Sequence, residues 1–153
     1  MKFFILLILT VSSSFAGELK LVGKSLLEYS IFKIDVYAIS LYRDSSGLEE
    51  LHLDYKVDVE KKHSLEGWKV GLEHILKKDP ALTEGKEWIL NNTKDYSKGD
   101  LVILRRENNK VSILKNNELI GQIEDQKVAQ LIFEPWIGQN PISNQIKKEL
   151  LGI

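Results

Sequence analysis

The residues in this sequence that could form a binding or reaction site are tyrosines on neighbouring stretches of alternating apolar residues. They are Tyr29, Tyr37, Tyr42 and Tyr55, and Lys24 precedes them in the chain. A tyrosine has an apolar ring that can be buried and a hydroxyl that then needs a hydrogen-bond partner. Two or three such hydroxyls beside one lysine would form a site for a carboxylate, a phenolate or an enolate. On spacing alone, ordinary core or half-exposed tyrosines are the simpler interpretation.

Other kinds of active site have little support in the residues. The chain has three histidines and no cysteine, and His63 and His74 lie eleven residues apart on one predicted helix. That separation is about 16 Å, so the two histidines cannot share a metal ion. No zinc-protease, nucleophile-elbow or phosphate-loop motif occurs. Glu49 and Glu50 are predicted to lie exposed in a loop. We therefore expect neither a metal nor a cofactor.

Length and charge are those of an ordinary globular chain. It has 153 residues, of which 43% are hydrophobic and 28% charged, and its net charge is -1. This length suits one domain with one core. Since the charge is nearly balanced, nothing in the composition attracts nucleic acid or an anionic membrane surface.

The first sixteen residues differ from the rest of the chain. Lys2 gives a positive start, Phe3–Val11 is an apolar run, and small residues follow at Ser14 and Ala16. This is the layout of a secretory signal peptide, with cleavage predicted before Gly17. The run is too short to span a bilayer stably; a buried N-terminal strand is the alternative. We expect export to a periplasm or secretion, with no transmembrane segment after cleavage.

Alternating segments dominate the first part of the mature chain. They are Glu18–Val22, Ser25–Tyr29, Ile31–Tyr42 and Leu51–Val57, with a break at Gly23-Lys24 between the first two. Consecutive alternating segments with short connections predict an antiparallel sheet. In the longest segment, Ile31–Tyr42, one face begins charged and turns apolar at Tyr37, whereas the other is apolar almost throughout. The pattern does not decide which face meets helices.

The hydrophobic period then changes to that of a helix, from Val59 to Lys77, which Asp79-Pro80 ends. Gly67 and Gly71 flank its apolar face and would let the helix lie close to the sheet. The later elements are a helix from Glu84 to about Asn91 capped by Thr83, strands at Leu101–Leu104, Val111–Leu114 and Leu119–Ile123, a short helix at Val128–Phe133, and a last helix capped by Ser143 and ended by Gly152. We predict one α+β domain over residues 17–153. It has an antiparallel sheet covered by a layer of helices, and a small three-stranded meander.

Several segments, in this order and spacing, resemble the chalcone isomerase-like family, and in particular its small exported bacterial branch. They are Gly23-Lys24, Val36–Tyr42, Leu53–Tyr55, Gly67-Trp68, Lys98-Gly99-Asp100, Phe133–Gly138, Pro141-Ile142-Ser143 and Leu150-Leu151-Gly152. The resemblance covers nearly the whole mature chain. It implies the same sheet and helix layers, with a ligand cleft between them.

The resemblance also bears on catalysis. The plant enzymes of the family stabilise an oxyanion with an arginine, a threonine and tyrosines. The threonine position corresponds to Tyr37, where non-catalytic fatty-acid-binding relatives also carry tyrosine. The arginine position corresponds to Ser25, beside Lys24, and a lysine cannot reproduce a bidentate guanidinium. Because losing one oxyanion donor costs roughly 2.7–4 kcal/mol, efficient ring closure is not expected, and no catalytic residue is assigned.

We therefore expect a non-catalytic protein of the cell envelope that binds a small hydrophobic or amphipathic ligand, such as a fatty acid. The candidate ligand-binding residues are Tyr37, Lys24, Ser25, Tyr42 and Tyr55. One alternative is an isomerase or intramolecular lyase that acts on an enone. Another is a structural or protein-interaction module whose cleft is filled by its own side chains.

Overall fold

Six antiparallel strands form one sheet within the residues that the computed structural model describes, which are 17–29 and 34–153. Each strand pairs with the next along the chain. The strands are β1 (Lys20–Tyr29), β2 (Ile34–Arg43), β3 (Leu48–Tyr55), β4 (Leu101–Glu107), β5 (Lys110–Lys115) and β6 (Glu118–Glu124). The predicted antiparallel sheet is confirmed, and the predicted meander, β4 to β6, continues the same sheet. The predicted signal peptide and the start of the Ile31–Tyr42 segment lie outside the described residues.

Five helices accompany the strands in the described part of the chain: α1 (Lys61–Lys78), α2 (Thr83–Asn91), α3 (Gln126–Leu131), α4 (Glu134–Ile137) and α5 (Asn144–Leu151). Two predicted ends are confirmed. Ser143 caps α5 by accepting a hydrogen bond from the Ile146 amide at 3.2 Å. Gly152 ends α5 with φ of +69°, a conformation that glycine adopts without strain. Thr83 is instead the first residue of α2, and its hydroxyl donates to the Pro80 carbonyl at 2.8 Å.

The helices lie on one face of the sheet, and that face is the one that includes Tyr37. The apolar residues that this face carries from β2 to β5 are at most 8% exposed: Tyr37, Ile39, Leu41, Leu51, Leu53, Tyr55, Val102, Leu104, Val111 and Ile113. The register places them side by side, for example Ile39 opposite Leu53. The other face of β2, from Val36 to Tyr42, is half-exposed. The buried face of β2 is therefore the face of the Ile31–Tyr42 segment that begins charged and turns apolar at Tyr37.

The predicted strand break at Gly23-Lys24 is wrong, because β1 runs through it with a bulge between Leu21 and Gly23. Gly23 has another role. Its backbone lies against α5, where an added Cβ would clash with the carbonyl oxygens of Glu149 and Leu150. The glycine is therefore needed for the close approach of α5 to the sheet.

The glycines of α1 do not have the role that their positions suggested. An added Cβ at Gly71 would lie 2.7 Å from the Pro135 Cβ, so this glycine lets α1 approach α4 and not the sheet. Gly67 faces open space. The helix also starts two residues later than predicted, because Val59 pairs with Tyr96 in an isolated bridge.

The predicted exposed loop at Glu49 and Glu50 is also wrong, since both residues belong to β3. Glu50 is 3% exposed, and its carboxylate accepts a hydrogen bond from Arg105 at 2.6 Å and lies 2.6 Å from His52 Nε2. Glu49 accepts from Arg43 at 2.8 Å and from Arg106 at 2.7 Å. Cations on the neighbouring strands compensate the loss of hydration at both carboxylates.

Replacing Glu49 by glutamine should destabilise the fold in a pH-dependent way. Burial alone would raise the pKa of Glu49, but the hydrogen bonds from Arg106 and Arg43 outweigh it and lower the pKa. The stabilisation from these ion pairs is thus complete above about pH 4.3, the pKa of a glutamate in the unfolded chain. It is lost as the pH falls through the lower pKa that Glu49 has in the folded protein. We expect E49Q to reduce the free energy of unfolding by about 1–3 kcal/mol at neutral pH. Urea unfolding near pH 7 and near pH 3 measures this.

The variant E118Q is the matched control, because Glu118 is an exposed acid of β6. It should change stability by less than about 0.5 kcal/mol. A difference between E49Q and the parent protein that is the same at both pH values would contradict the ion-pair explanation.

Candidate functional site

Tyr37 of β2 and Trp136 of α4 form a buried polar pair between the sheet and the helices. The Trp136 Nε1–H donates a hydrogen bond to the Tyr37 hydroxyl at 2.9 Å, and the two residues are 6% and 8% exposed. An indole nitrogen can only donate, so the phenol oxygen accepts and its own proton remains free to donate. Within the described part of the chain, Trp136 is the one hydrogen-bond partner of the Tyr37 hydroxyl. Among the described residues, the pair therefore leaves the phenol proton without an acceptor.

Three further rings extend this pair into an aromatic cluster of Tyr37, Tyr55, Tyr96, Trp68 and Trp136. Tyr37 and Tyr55 are directly opposite each other on β2 and β3, with ring centroids 5.3 Å apart. Tyr96 stacks on Tyr55 at 4.7 Å, and Trp68 meets Trp136 edge to face at 5.3 Å. Such geometries stabilise aromatic pairs beyond the area they bury. The cluster connects the sheet to α1 and α4.

Elements that are distant in sequence hold the cluster together. Tyr96 follows α2, and its backbone exchanges hydrogen bonds of 2.8 and 2.9 Å with Val59, just before α1. Trp136 lies in the single turn of α4, directly after Pro135, whose contact with Gly71 fixes α4 against α1. The position of each ring thus depends on contacts between elements rather than on its neighbours in sequence.

The tyrosines of the cluster remain neutral at ordinary pH. Burial raises the pKa of Tyr37 well above its usual value, and the Trp136 hydrogen bond offsets part of this rise. Burial is also the main cause of the raised pKa of Tyr55, to which the neighbouring Tyr37 adds. The pKa of Tyr96 is raised by burial as well. These hydroxyls can donate or accept hydrogen bonds, but they do not act as bases.

The structure brings together only some of the candidate ligand-binding residues. Tyr37 and Tyr55 are in contact on the helix-covered face. Tyr42 points to the other face of the sheet, because it is an odd number of residues from Tyr37 along β2, and there it packs on His52 with ring centroids 4.4 Å apart. Lys24 is exposed and pairs with Ser40, which places it on that other face too.

Ser25 lies on the helix-covered face of β1, where it pairs with Ile39. Because Leu27 pairs with Tyr37, Ser25 is a diagonal neighbour of Tyr37, at about 7–8 Å between backbones. Its hydroxyl donates a hydrogen bond to the Glu149 carboxylate of α5. Hydrogen bonds from Ser25 and then Gln145 lower the pKa of Glu149, an exposed residue of α5.

Sequence reasoning did not assign Trp136 or Tyr96 to the site. Trp136 falls in the segment after a predicted short helix, and its partner Tyr37 lies 99 residues away. The available signal was a tryptophan directly after proline at the end of an apolar run. That signal indicates a packed turn, but it does not name the residue on which the turn packs.

Two depressions on the surface of the described residues are not lined by the aromatic cluster. One, of about 460 Å³, is lined by Gly47, Glu49, Arg106, Asn108, Asn109, Gln126, Ala129 and Gln130. Its arginine is already occupied, because the guanidinium bonds Glu49 and the Ala129 carbonyl and lies over the Phe133 ring. The other, of about 300 Å³, lies between α1 and α2.

The described residues hold no group of three or more histidine, cysteine, aspartate or glutamate side chains that could bind a metal ion. Nor do they include a helix with the length and apolarity needed to cross a membrane.

The antiparallel sheet with helices on one face makes this an α+β protein, and a phenol–indole pair lies between the two layers. The chain belongs to the chalcone isomerase-like family, whose model matches residues 11–152. Among solved structures, 35 chains match. One is a fatty-acid binding protein from Arabidopsis thaliana, 14% identical, with a TM-score of 0.69 over 87% of this chain and 86% of that chain. At that identity the likeness shows the fold. No curated protein matches this chain at a significant level.

The hydrogen bond between Tyr37 and Trp136 should be measurable as a coupling energy. Y37F leaves the Trp136 N–H without its acceptor, which should reduce the free energy of unfolding by about 1–3 kcal/mol. W136F removes the donor and some ring volume. In the double variant the free energy of unfolding should fall by less than the sum of the two single decreases. The difference should be about 0.5–3 kcal/mol, because both single variants break the same contact. Urea unfolding of the four proteins gives the cycle.

Y42F is the control, since Tyr42 is half-exposed on the other face. It should change stability by less than about 0.5 kcal/mol. Strict additivity of Y37F and W136F would show that the two side chains do not interact in solution.

Proposed function

We propose that this protein is a non-catalytic member of the chalcone isomerase-like family that binds one small amphipathic molecule between its sheet and its helices. The apolar part of the ligand lies against the aromatic cluster, and an acceptor atom of its polar part accepts a hydrogen bond from the Tyr37 hydroxyl. The single observation that carries this proposal is the unused donor at Tyr37, held in a buried apolar setting by Trp136. Buried polar groups generally have at least one hydrogen-bond partner, which Trp136 supplies here, and a ligand acceptor would use the remaining capacity of the hydroxyl.

The fold and the chemistry of the cluster support a binding role. The similar structure from Arabidopsis thaliana is that of a fatty-acid binding protein. The described cluster consists of aromatic rings and neutral hydroxyls. Ligand sites of this kind are mostly apolar, with a few placed polar groups that orient the ligand.

Binding requires that the packing around Tyr37 opens. The rings of the cluster fill the space between the layers, so a ligand takes its place only when Trp136 moves away from Tyr37. The single-turn helix α4 is the element that carries Trp136, and its contact with α1 is made by Pro135 on Gly71. We therefore place the opening between α4 and β2, next to the edge where α5 covers β1.

A second candidate function has one observation in its favour. Because neither surface depression reaches the aromatic cluster, the interior can also be that of a structural or interaction module filled by its own side chains. The isomerase alternative is less well supported. Ser25, which corresponds to the arginine of the enzymes, donates to Glu149 and supplies no positive charge to an oxyanion.

Ligand binding can be tested on the purified protein with two probes of the same chain length, dodecanoic acid and dodecan-1-ol. We expect a one-to-one complex with at least one of them by native mass spectrometry. Tryptophan fluorescence should change on binding, because Trp136 leaves the Tyr37 hydroxyl. In Y37F the affinity should fall by about tenfold, the value of one lost hydrogen bond.

Y42F serves as the matched control and should bind like the parent protein, because Tyr42 lies on the opposite face. No complex with either probe would contradict the binding proposal and favour the filled interior. Equal affinity of Y37F and the parent protein would remove Tyr37 from the site.

We also propose that the chain belongs to the exported bacterial branch of the family and that residues 1–16 are its signal peptide. The support is the charged start, the apolar run and the small residues before Gly17. When the full chain is expressed in a Gram-negative host, the periplasmic protein should begin at Gly17 by intact mass. L7R, which places a charge within the apolar run, should leave an uncut precursor in the cytosol. An uncut chain in the parent protein would refute the signal peptide.

A further inference from the structure

A row of polar residues crosses the face of the sheet opposite the aromatic cluster. The register places Tyr42, Glu50, Arg105, Ser112 and Gln122 side by side on β2 to β6. Glu50 and Ser112 are only 3% and 5% exposed, whereas the Arg105 side chain is 40% exposed. The Ser112 hydroxyl donates to the Gln122 side chain at 3.2 Å, away from the arginine. The arginine of this row is therefore held from one side, by Glu50.

The buried carboxylate of Glu50 fixes the position of two side chains. One of its oxygens accepts a hydrogen bond from Arg105 Nε at 2.6 Å, and the other lies 2.6 Å from His52 Nε2. Because an imidazole nitrogen that faces a carboxylate carries its proton, both contacts are donated to Glu50. The Tyr42 ring packs on His52 with ring centroids 4.4 Å apart. A buried residue with both oxygens engaged thus sets the direction of a partly exposed arginine.

The outer end of the Arg105 guanidinium has donors to spare. An arginine side chain carries five N–H donors. Within the described residues Arg105 uses the one on Nε, so that its two terminal nitrogens keep theirs. Arg106, the next residue of β4, instead uses Nε and both terminal nitrogens on Glu49 and the Ala129 carbonyl. The edge formed by two terminal nitrogens matches the paired oxygens of a carboxylate or a phosphate.

The charges near this edge permit an anion there. Glu50 is the nearest acid, but an anion bonded to the terminal nitrogens lies closer to the guanidinium than to that carboxylate, so attraction exceeds repulsion. On β3, Asp54 of the same face lies 2.6 Å from the Lys56 ammonium. On β4, Glu107 pairs in register with Lys110. These two further acids therefore have cations of their own.

We propose that Arg105 binds an oxyanion, the carboxylate or phosphate group of a small molecule, on the face of the sheet opposite the aromatic cluster. The guanidinium supplies two parallel hydrogen bonds from its terminal nitrogens. Glu50 is the positioning residue, and His52 holds its second oxygen. This site is separate from the ligand site proposed at Tyr37, which lies on the helix-covered face. Either site can therefore exist without the other.

The test titrates the isotope-labelled protein at pH 7 with acetate and, separately, with inorganic phosphate, at constant ionic strength set with chloride. NMR spectra follow the Nε–H signal of Arg105 and the backbone amides of β3 and β4. We expect saturable shifts of these signals with at least one probe, and the probe that binds identifies the oxyanion as carboxylate or phosphate. R105K keeps the charge but loses the planar fork, so the dissociation constant should rise about tenfold.

The matched control is R43K. Arg43 is 42% exposed and bonds Glu49 through Nε at 2.8 Å, but it lies on the other face, so the dissociation constant should not change. If R105K does not fold, the double variant E50Q/R105Q removes both charges of the buried pair and should abolish the saturable shifts. Shifts that do not saturate with either probe would overturn the proposal. An equal loss of affinity in R43K would overturn it too, because binding would then be a general property of exposed arginines.

Discussion

The hydrogen bond from Trp136 to Tyr37 joins the helix layer to the sheet at a place where both residues are more than nine-tenths buried. In such surroundings a polar group without a partner costs about 1–3 kcal/mol, so the two side chains hold each other in position. The indole N–H uses the phenol oxygen as an acceptor, and the phenol O–H can still donate a hydrogen bond. The remaining donor is available to an acceptor atom of a ligand, and the binding proposal rests on it.

Charge is arranged around this constraint. The helix-covered face carries neutral rings and aliphatic side chains at its centre, and its ion pairs, such as Glu49 with Arg106, lie towards one end. The buried carboxylate of Glu50 belongs to the other face, where Arg105 and His52 compensate it. Because each buried carboxylate is paired within the sheet, neither alters the neutral surroundings of Tyr37. The interior therefore suits an apolar molecule with a modest polar end.

The alternation of the strands and the period of the helices were sufficient to predict the class of fold and most of its elements. They could not decide which face of β2 is buried, because both faces carry apolar residues and only contacts with helices distinguish them. The same limit explains why the sequence predicts an exposed loop at Glu49 and Glu50. Two adjacent acids indicate a solvated loop unless arginines of a neighbouring strand are known to pair with them, and strand register is not visible in the sequence.

The candidate site was predictable only in part for a similar reason. Tyr37 and Tyr55 could be found because their strands are neighbours in sequence and the two residues share a face. Trp136 could not, since its contact with Tyr37 closes a loop of 99 residues and depends on how α4 packs against α1. Lys24 precedes Tyr37 closely in the sequence, but strand parity places it on the other face of the sheet. Long-range packing, rather than composition, thus decides which polar groups meet.

The state of Tyr37 also bears on the choice between binding and catalysis. A phenol whose pKa is raised by burial gives up its proton reluctantly, so it stabilises a full oxyanion less well than a cationic donor does. Catalysis of ring closure needs interactions that strengthen as negative charge develops. Here Ser25, on the neighbouring strand β1, donates its hydrogen bond to Glu149 and supplies no positive charge. A neutral acceptor, by contrast, gains the same hydrogen bond without gaining charge, and this favours a binding protein over an enzyme.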